Sequence, residues 1–197
     1  MIKILTCLLV VVLAALAADG QTVNKTKCEL QELAIEAALG NALAQYNMGV
    51  EFFRGEQVAQ DFGKAATMWR LAGAGGQISA YNNLGYLTYY GRGVKQDHAE
   101  GVRLWRIAAE AGIAESQIHI GYAYLKGDFL KKDAVEAYAW ATTGKHFVRK
   151  VEDKILARAT DEMANKLLTQ ARSFLNAEQI AEAEKRAAAY IAKFSTK

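Results

Sequence analysis

The chain has 197 residues, 52% of them apolar and 23% charged, enough for one globular domain or a short repeat array. Its side-chain charge of +3 falls to +2 once Lys3 is set aside, too small and too interspersed for a nucleic-acid footprint or a polybasic membrane patch. It has no proline, where about 5 per cent is ordinary, so helices joined by glycine-built turns are the economical expectation.

Residues 1 to 17 read as a signal peptide. Lys3 gives the positive start, Ile4 to Leu16 is almost wholly apolar, and Ala15-Leu16-Ala17 offers an A-x-A cleavage site. The apolar run is shorter than the ~20 residues a spanning helix needs. Cys7 lies at the start of that run, where a lipidated cysteine would follow it. Export therefore leaves Cys28 as an odd thiol, which stays reduced or links to a second chain.

Residues 18 to 40 read as a linker and a capping helix. Thr26-Lys27-Cys28-Glu29 has capping-box form and opens a helix to about Leu39. Leu30, Leu33, Ala34 and Ala37 give it one apolar face, and Cys28, Ile35 and Leu39 another, so packing on two sides is expected.

From residue 41 to 148 the sequence repeats with a period of 36: Ala44, Gly49, Gly55, Val58, Asp61, Trp69, Ala72 and Gly76 recur as Ala80, Gly85, Gly91, Val94, Asp97, Trp105, Ala108 and Gly112. Ser116, Gly121, Gly127, Leu130 and Asp133 continue the series. A fixed period in the thirties is the mark of a solenoid, with units at 41–76, 77–112 and 113–148. Each column has a physical reason. The small residues and the glycine five positions on let two helices approach closely. Gly55, Gly91 and Gly127 stand where a left-handed cap ends the first helix, and the valines and Leu130 tuck the loop under the pair. The three aspartates suit the N-cap of the second helix, and Trp69 and Trp105 fill the space between helices.

The pattern A-x-x-x-L-G-x-x-Y-x-x-G-x-G-V-x-x-D-x-x-x-A-x-x-W-x-x-x-A-A-x-x-G resembles the Sel-one-like repeat (SLR) family, relatives of the tetratricopeptide repeats. The departures are Thr88 for tyrosine, Gln57 and Phe129 for the second loop glycine, Gly73 for the second alanine, and Trp140 one residue early. The resemblance implies an all-α fold: a short right-handed α/α solenoid of three helix-turn-helix repeats with capping helices at both ends. Paired cysteines in each repeat, as in one secreted branch of the family, are absent.

Residues 149 to 197 read as C-terminal capping helices. The first, over about 150 to 172, sets Ile155, Leu156, Ala159, Met163 and Leu167 along one side. Asn176 caps the last, with Gln179 completing a box-like pair. LNAEQIAEAEKRA is similar to the closing segment L-T-P-E-Q-I-A-E-A-x-x-x-A of bacterial SLR arrays, with Ala177 in place of proline.

No catalytic or metal constellation is apparent, and no cofactor is expected. His98, His119 and His146 sit in three elements without H-x-x-x-H or C-x-x-C spacing, and the serines lack a nucleophile elbow. The chain is therefore expected not to be an enzyme; the alternative is an enzyme acting on cell-wall or β-lactam substrates. What remains is a stripe on each first helix, away from the packing columns: Asn47, Val50 and Arg54; Asn83, Tyr86 and Tyr90; His119, Tyr122 and Lys126. In the family these helices line the concave surface, which makes Asn47, Asn83, Tyr86, Tyr90, His119, Tyr122 and Lys126 the candidate partner-binding residues. Arg70 and Arg106 would lie on the convex side, and His98 on the surface just after its cap. The resemblance extends to exported bacterial SLR proteins, including type VI secretion immunity proteins that neutralise phospholipase effectors. It implies a periplasmic protein-binding module whose partner is another protein, a secreted lipase-type effector being the specific expectation and a general adaptor in signalling or envelope assembly the alternative. No nucleic acid and no stable membrane insertion are expected, and a dimer through Cys28 is one option.

Overall fold

The structure, a computed structural model, describes residues 27–196. The signal-peptide reading, the cleavage site after Ala17, the linker and the Thr26 half of the capping box all lie outside the described residues, as does the Cys28 side chain. The described residues are helical with no strand, the all-α helical-repeat class that the period implies. The chain divides after Gln77 into two compact units.

The first unit holds α1 (Lys27–Ala38), α2 (Ala42–Arg54) and α3 (Phe62–Ala74). Ala37, Ala44 and Met48 form its buried cluster, with Leu30, Leu33, Phe52 and Met68 against it. Only one face of α1 is packed there. Ile35 and Leu39, expected to be covered, are 51% and 82% exposed. An apolar stripe shows where a helix could pack, not that a neighbour exists to cover it.

The second unit holds α4 (Ser79–Tyr90), α5 (His98–Glu110), α6 (Ala114–Lys126), α7 (Ala134–Val148), α8 (Lys154–Arg172) and α9 (Ala177–Ser195). Each helix from α4 to α7 packs against the next, and both α8 and α9 lie against α7. The repeat columns do what their chemistry demands. Asp61, Asp97 and Asp133 adopt extended φ/ψ, and each side chain accepts from the backbone N–H three residues on, at 2.9, 2.9 and 3.0 Å. Gly55, Gly91 and Gly127 end the preceding helices at φ 72°, 67° and 74°, the left-handed region that favours glycine. The loop between is closed by backbone bonds from Asp61 to Phe52, Asp97 to Thr88 and Asp133 to Tyr124. Gln60 and Gln96 brace the first two loops by donating to the carbonyls of Phe53 and Tyr89 at 2.9 and 3.2 Å, a column the sequence reading passed over.

The helix pairs meet at glycine. A methyl added at Gly85 would stand 2.7 Å from the Trp105 indole and 3.1 Å from the Gly101 carbonyl, so only a bare backbone fits. Trp105 is fully buried, and its Nε1–H donates to the Asn82 carbonyl at 3.1 Å; Trp69 does the same to Tyr46. Two buried glutamines make the next step along the chain. Gln45 donates to the Ala37 carbonyl at 3.1 Å and Gln117 to Ala109 at 2.9 Å, each binding a first helix to the helix before it.

The C-terminal helices close the array. Asn176 and Gln179 form the full capping box that opens α9. Arg186 and Tyr190 on α9 donate to the two oxygens of Glu136 on α7 at 2.6 and 3.0 Å. Burial and that carboxylate push the Tyr190 hydroxyl up to about 12.

Candidate functional site

Two first helices of the second unit, α4 and α6, bring most of the candidate residues together. Tyr86 and Tyr90 are one turn apart on α4, with ring centroids 4.9 Å apart, and Tyr86 meets His119 on α6 at 6.1 Å. Tyr90, His119, Tyr122 and Lys126 line a groove of about 240 Å³, with Trp105 beneath it and Gln170 of α8 at its side. Tyr90 is 43% exposed, the most open of the tyrosines here.

The groove is less of a free surface than the stripe suggested. Tyr122 is half-buried against the cluster of Ile118, Ala141, Ala164 and Leu167, the last two on α8, and its hydroxyl donates to the Met163 carbonyl at 3.3 Å. It is a wall held in place by α8. Asn83 is occupied too, accepting from the Asn82 amide at 3.1 Å; that amide's oxygen in turn accepts from Ser116 at 2.8 Å. Asn47 lies on α2 in the other unit, half-buried there.

His119 stacks on Trp105, centroids 4.8 Å apart and planes 16° apart. Burial alone lowers its pKa to about 4, so at neutral pH the imidazole is uncharged and offers one donor and one acceptor. Burial likewise raises the Tyr90 and Tyr122 hydroxyls. These groups are neutral hydrogen-bonding partners set among rings.

A latch holds one end of the groove. Asp128, just past the Gly127 cap of α6, accepts the Tyr89 hydroxyl at 2.5 Å and pairs with Lys126. Burial opposes its charge, but the hydrogen bonds from Lys126 and Tyr89 outweigh that and keep the carboxyl below its usual range. His98 stacks on Tyr89 at 4.5 Å with its Nδ1 3.9 Å from Asp128, so it is a half-buried member of this cluster and not the free surface residue expected from its place after the cap. The cause is the repeat geometry: the first turn of α5 faces the loop that follows α6. Arg92, on the other side, donates to the Tyr86 hydroxyl at 3.2 Å. On α5, Arg106 is exposed and donates to the Tyr124 hydroxyl, which is not part of the groove.

Chemically the groove can bury an apolar group and hydrogen-bond beside it. Its lining has no nucleophile with an adjacent base. Among the described residues, no group of three or more His, Cys, Asp or Glu could hold a metal, and no helix is long and apolar enough to cross a membrane. The sequence reading missed Trp105 as a floor and Tyr89, Asp128 and Gln170 as groove or latch residues. Gln170 could not have been found by periodicity, since α8 stands outside the repeat.

Helix-turn-helix pairs with bare-backbone crossings, left-handed glycine caps and aspartate N-caps define a helical-repeat protein, suited to protein–protein interaction. The Sel1 repeat model matches residues 42–77, 78–113 and 114–143, over half of the chain, and the chain belongs to the Sel1 repeat family. It is similar to a protective antigen present in uropathogenic Escherichia coli strains displaying an SLR fold, with 24% identity and a TM-score of 0.59, covering 88% of this chain and 43% of that one. This chain thus spans less than half the length of that antigen. It is also similar to a Sel1 repeat protein from Oxalobacter formigenes, with 28% identity and a TM-score of 0.52, covering 72% of this chain and 97% of that one. A comparison with curated proteins finds no match.

Proposed function

We propose that this protein is an exported binding module that grips a protein partner through the aromatic groove between α4 and α6. The observation that carries this is the groove itself: Tyr90 open at its mouth, a neutral His119 and Trp105 at its floor, and no catalytic pair in its lining. Tyrosine and tryptophan are the side chains that concentrate binding energy at interfaces, because they are large, amphipathic and cheap to order. The specific role is that of a periplasmic immunity protein holding a secreted phospholipase effector inactive. The apolar start, with its A-x-A site before Ala18, supports export, and an inhibitor of this kind needs a binding surface and no chemistry of its own. Cys28 supplies a route to a covalent dimer in an oxidising compartment.

The test is direct. The neighbouring gene is read first; a lipase-type product that forms a stable complex with the full chain and loses its lipid hydrolysis supports the role, and full hydrolysis at excess binding module rejects it. A complex with some other envelope protein, with hydrolysis untouched, favours the adaptor alternative. N-terminal sequencing of periplasmic protein should begin at or near Ala18, and an intact Met1 on cytoplasmic protein rejects export. Loss of a dimer on reduction would assign the Cys28 link.

A further inference from the structure

We propose that this chain associates head to tail with a second copy of itself, an acidic apolar face of its first unit docking on a basic aromatic patch in the second unit of the next copy. The contact is independent of the groove and of any partner seated there. The first surface is the open side of α1. Ile35 and Leu39, one turn apart on that helix, are exposed, and so is Leu43 at the start of α2. Apolar side chains exposed singly are ordinary, but three so close together around the α1–α2 turn make a surface that gains from being covered. Acid frames it. From Glu29 to Phe53 the chain carries four glutamates and no lysine or arginine, and Glu32 and Glu36 make no ion pair among the described residues.

The second surface lies where the loop after α6 meets the turn after α8. Phe129 in the loop is 48% exposed and Phe174 in the turn 59%. Lys132 joins the two segments, its Nζ 4.9 Å from the Phe174 ring centroid. The carboxylates of the loop are committed: Asp128 pairs with Lys126 and accepts from Tyr89, and Asp133 caps α7. Lys131 and Arg172, each two residues from one of the rings, are exposed and make no ion pair among the described residues. Glu178, in the first turn of α9, is the nearest uncommitted acid in sequence.

Charge then selects the occupant. The small net charge of the chain hides a division between its units. Residues 28–77 hold six carboxylates against three cations, and residues 78–197 hold 18 lysines and arginines against 14 aspartates and glutamates. A two-fold pair through either surface would set acid on acid or cation on cation, which like charges oppose. The acidic apolar face of one copy and the basic rings of another are complementary in both respects. Two different surfaces make a heterologous contact, which builds rings or open chains.

The test is sedimentation velocity of the purified chain under reductant, over rising concentration at low salt. The mean mass is expected to grow past that of a dimer with a Kd of about 0.1–1 mM per contact. The contact should weaken roughly tenfold in ~0.5 M salt, where screening is strong. Ile35→Ser with Leu39→Ser, and Phe129→Ser with Phe174→Ser, alter exposed side chains and should keep the helicity and melting temperature of the wild type. Each pair alone is expected to leave a monomer. Mixed, the two variants should form a 1:1 dimer that grows no further, because each supplies the one surface the other lacks. Glu32→Lys with Glu36→Lys should also abolish association, and mixing with Lys131→Glu plus Arg172→Glu should restore it. A wild type that stays monomeric throughout overturns the proposal, as does association unmoved by salt or by either serine pair. A mixture of the serine variants that stays monomeric overturns the head-to-tail arrangement. Sedimentation of a monomeric chain with phosphatidylglycerol vesicles, lost with Phe129 and Phe174, would likewise overturn it and assign the basic patch to a lipid surface.

Discussion

In residues 78–113, Trp105 lies against bare backbone at Gly85 and gives its N–H to Asn82. In residues 114–148 the corresponding tryptophan, Trp140, comes one residue early, which turns its side chain by about 100° around α7. Its indole faces α9, stacked on Tyr190 at 4.7 Å and within 5.9 Å of Phe194. The place against Gly121 is taken by Leu167 of α8, 2.6 Å from where a methyl would stand. Trp140 is 4% exposed, yet its Nε1 is buried without an acceptor among the described residues. The repeats thus share a backbone and differ in what fills them. An inner repeat is completed by its own tryptophan, and the last one by helices outside the repeat, because a terminal repeat has no next neighbour to bury its core.

The largest effects should come from removing the tryptophans. Trp105→Ala is expected to cost about 3–5 kcal/mol in chemical denaturation. The sharper comparison is with phenylalanine. Trp105→Phe removes the indole's bond to the Asn82 carbonyl, which keeps its helical N–H, and should cost about 1 kcal/mol more than Trp140→Phe, which removes an N–H with no acceptor among the described residues. Equal losses would mean that the two indoles are filled and bonded alike.

Next come the crossings. Leu167→Ala should cost about 2–5 kcal/mol although it lies outside every repeat. Gly85→Ala drives a methyl into a ring and a backbone carbonyl and should cost roughly 1–3 kcal/mol in any background. Gly121→Ala meets the end of a leucine at 2.6 Å and the Ala137 carbonyl at 3.1 Å, so its penalty should shrink, without vanishing, when combined with Leu167→Ala. A double-mutant cycle measured by denaturation checks this; strict additivity would place Leu167 away from Gly121.

A comparable or smaller effect is set by pH. His119 has its pKa lowered from 6.5 to about 4 on folding, so the unfolded chain binds more protons between those values. Its contribution is therefore present above about pH 6.5 and is lost as pH falls towards about 4, by no more than about 3 kcal/mol. Carboxylates titrate in the lower part of that window as well, so the readout is the difference between the wild type and His119→Phe in melting temperature against pH. The difference should grow in favour of the variant as the solution is acidified; parallel curves would show that His119 is accessible and ordinary.

Much of the fold was legible because the repeat writes each constraint three times. A glycine that only a bare backbone satisfies, an aspartate that caps and a glycine that turns left recur at 36-residue intervals, and recurrence separates requirement from accident. The site was legible only to the level of a helical face. Tyr86, Tyr90, His119 and Lys126 could be set on one stripe by period alone. That Tyr122 is pinned by α8 and that His98 joins Tyr89 and Asp128 depend on contacts between different elements, one of which carries no repeat signature, and the local bond from Asn82 to Asn83 is a side-chain choice that period does not set. Trp140 did show as an irregularity, but a shift of one residue says that a side chain turns and not what it turns towards. The exposed Ile35 and Leu39 make the same point from the other side, since an apolar stripe does not guarantee a neighbour.

The central claim, that the partner docks on the groove, is tested most directly by comparing substitutions on the first and the second helices of the repeats. Tyr86→Ala with Tyr90→Ala removes the open rings while sparing Tyr122, whose loss would also unseat α8. Binding to the purified partner is measured by calorimetry, with circular dichroism and melting temperature as folding controls. The account predicts that the tyrosine pair lowers affinity at least roughly 30-fold, about 2 kcal/mol, in a protein that still folds, while Arg70→Ala with Arg106→Ala leaves affinity within a factor of about two. A folded tyrosine variant that binds like the wild type, with affinity lost in the arginine pair, would contradict it and move the partner to the second helices of the repeats.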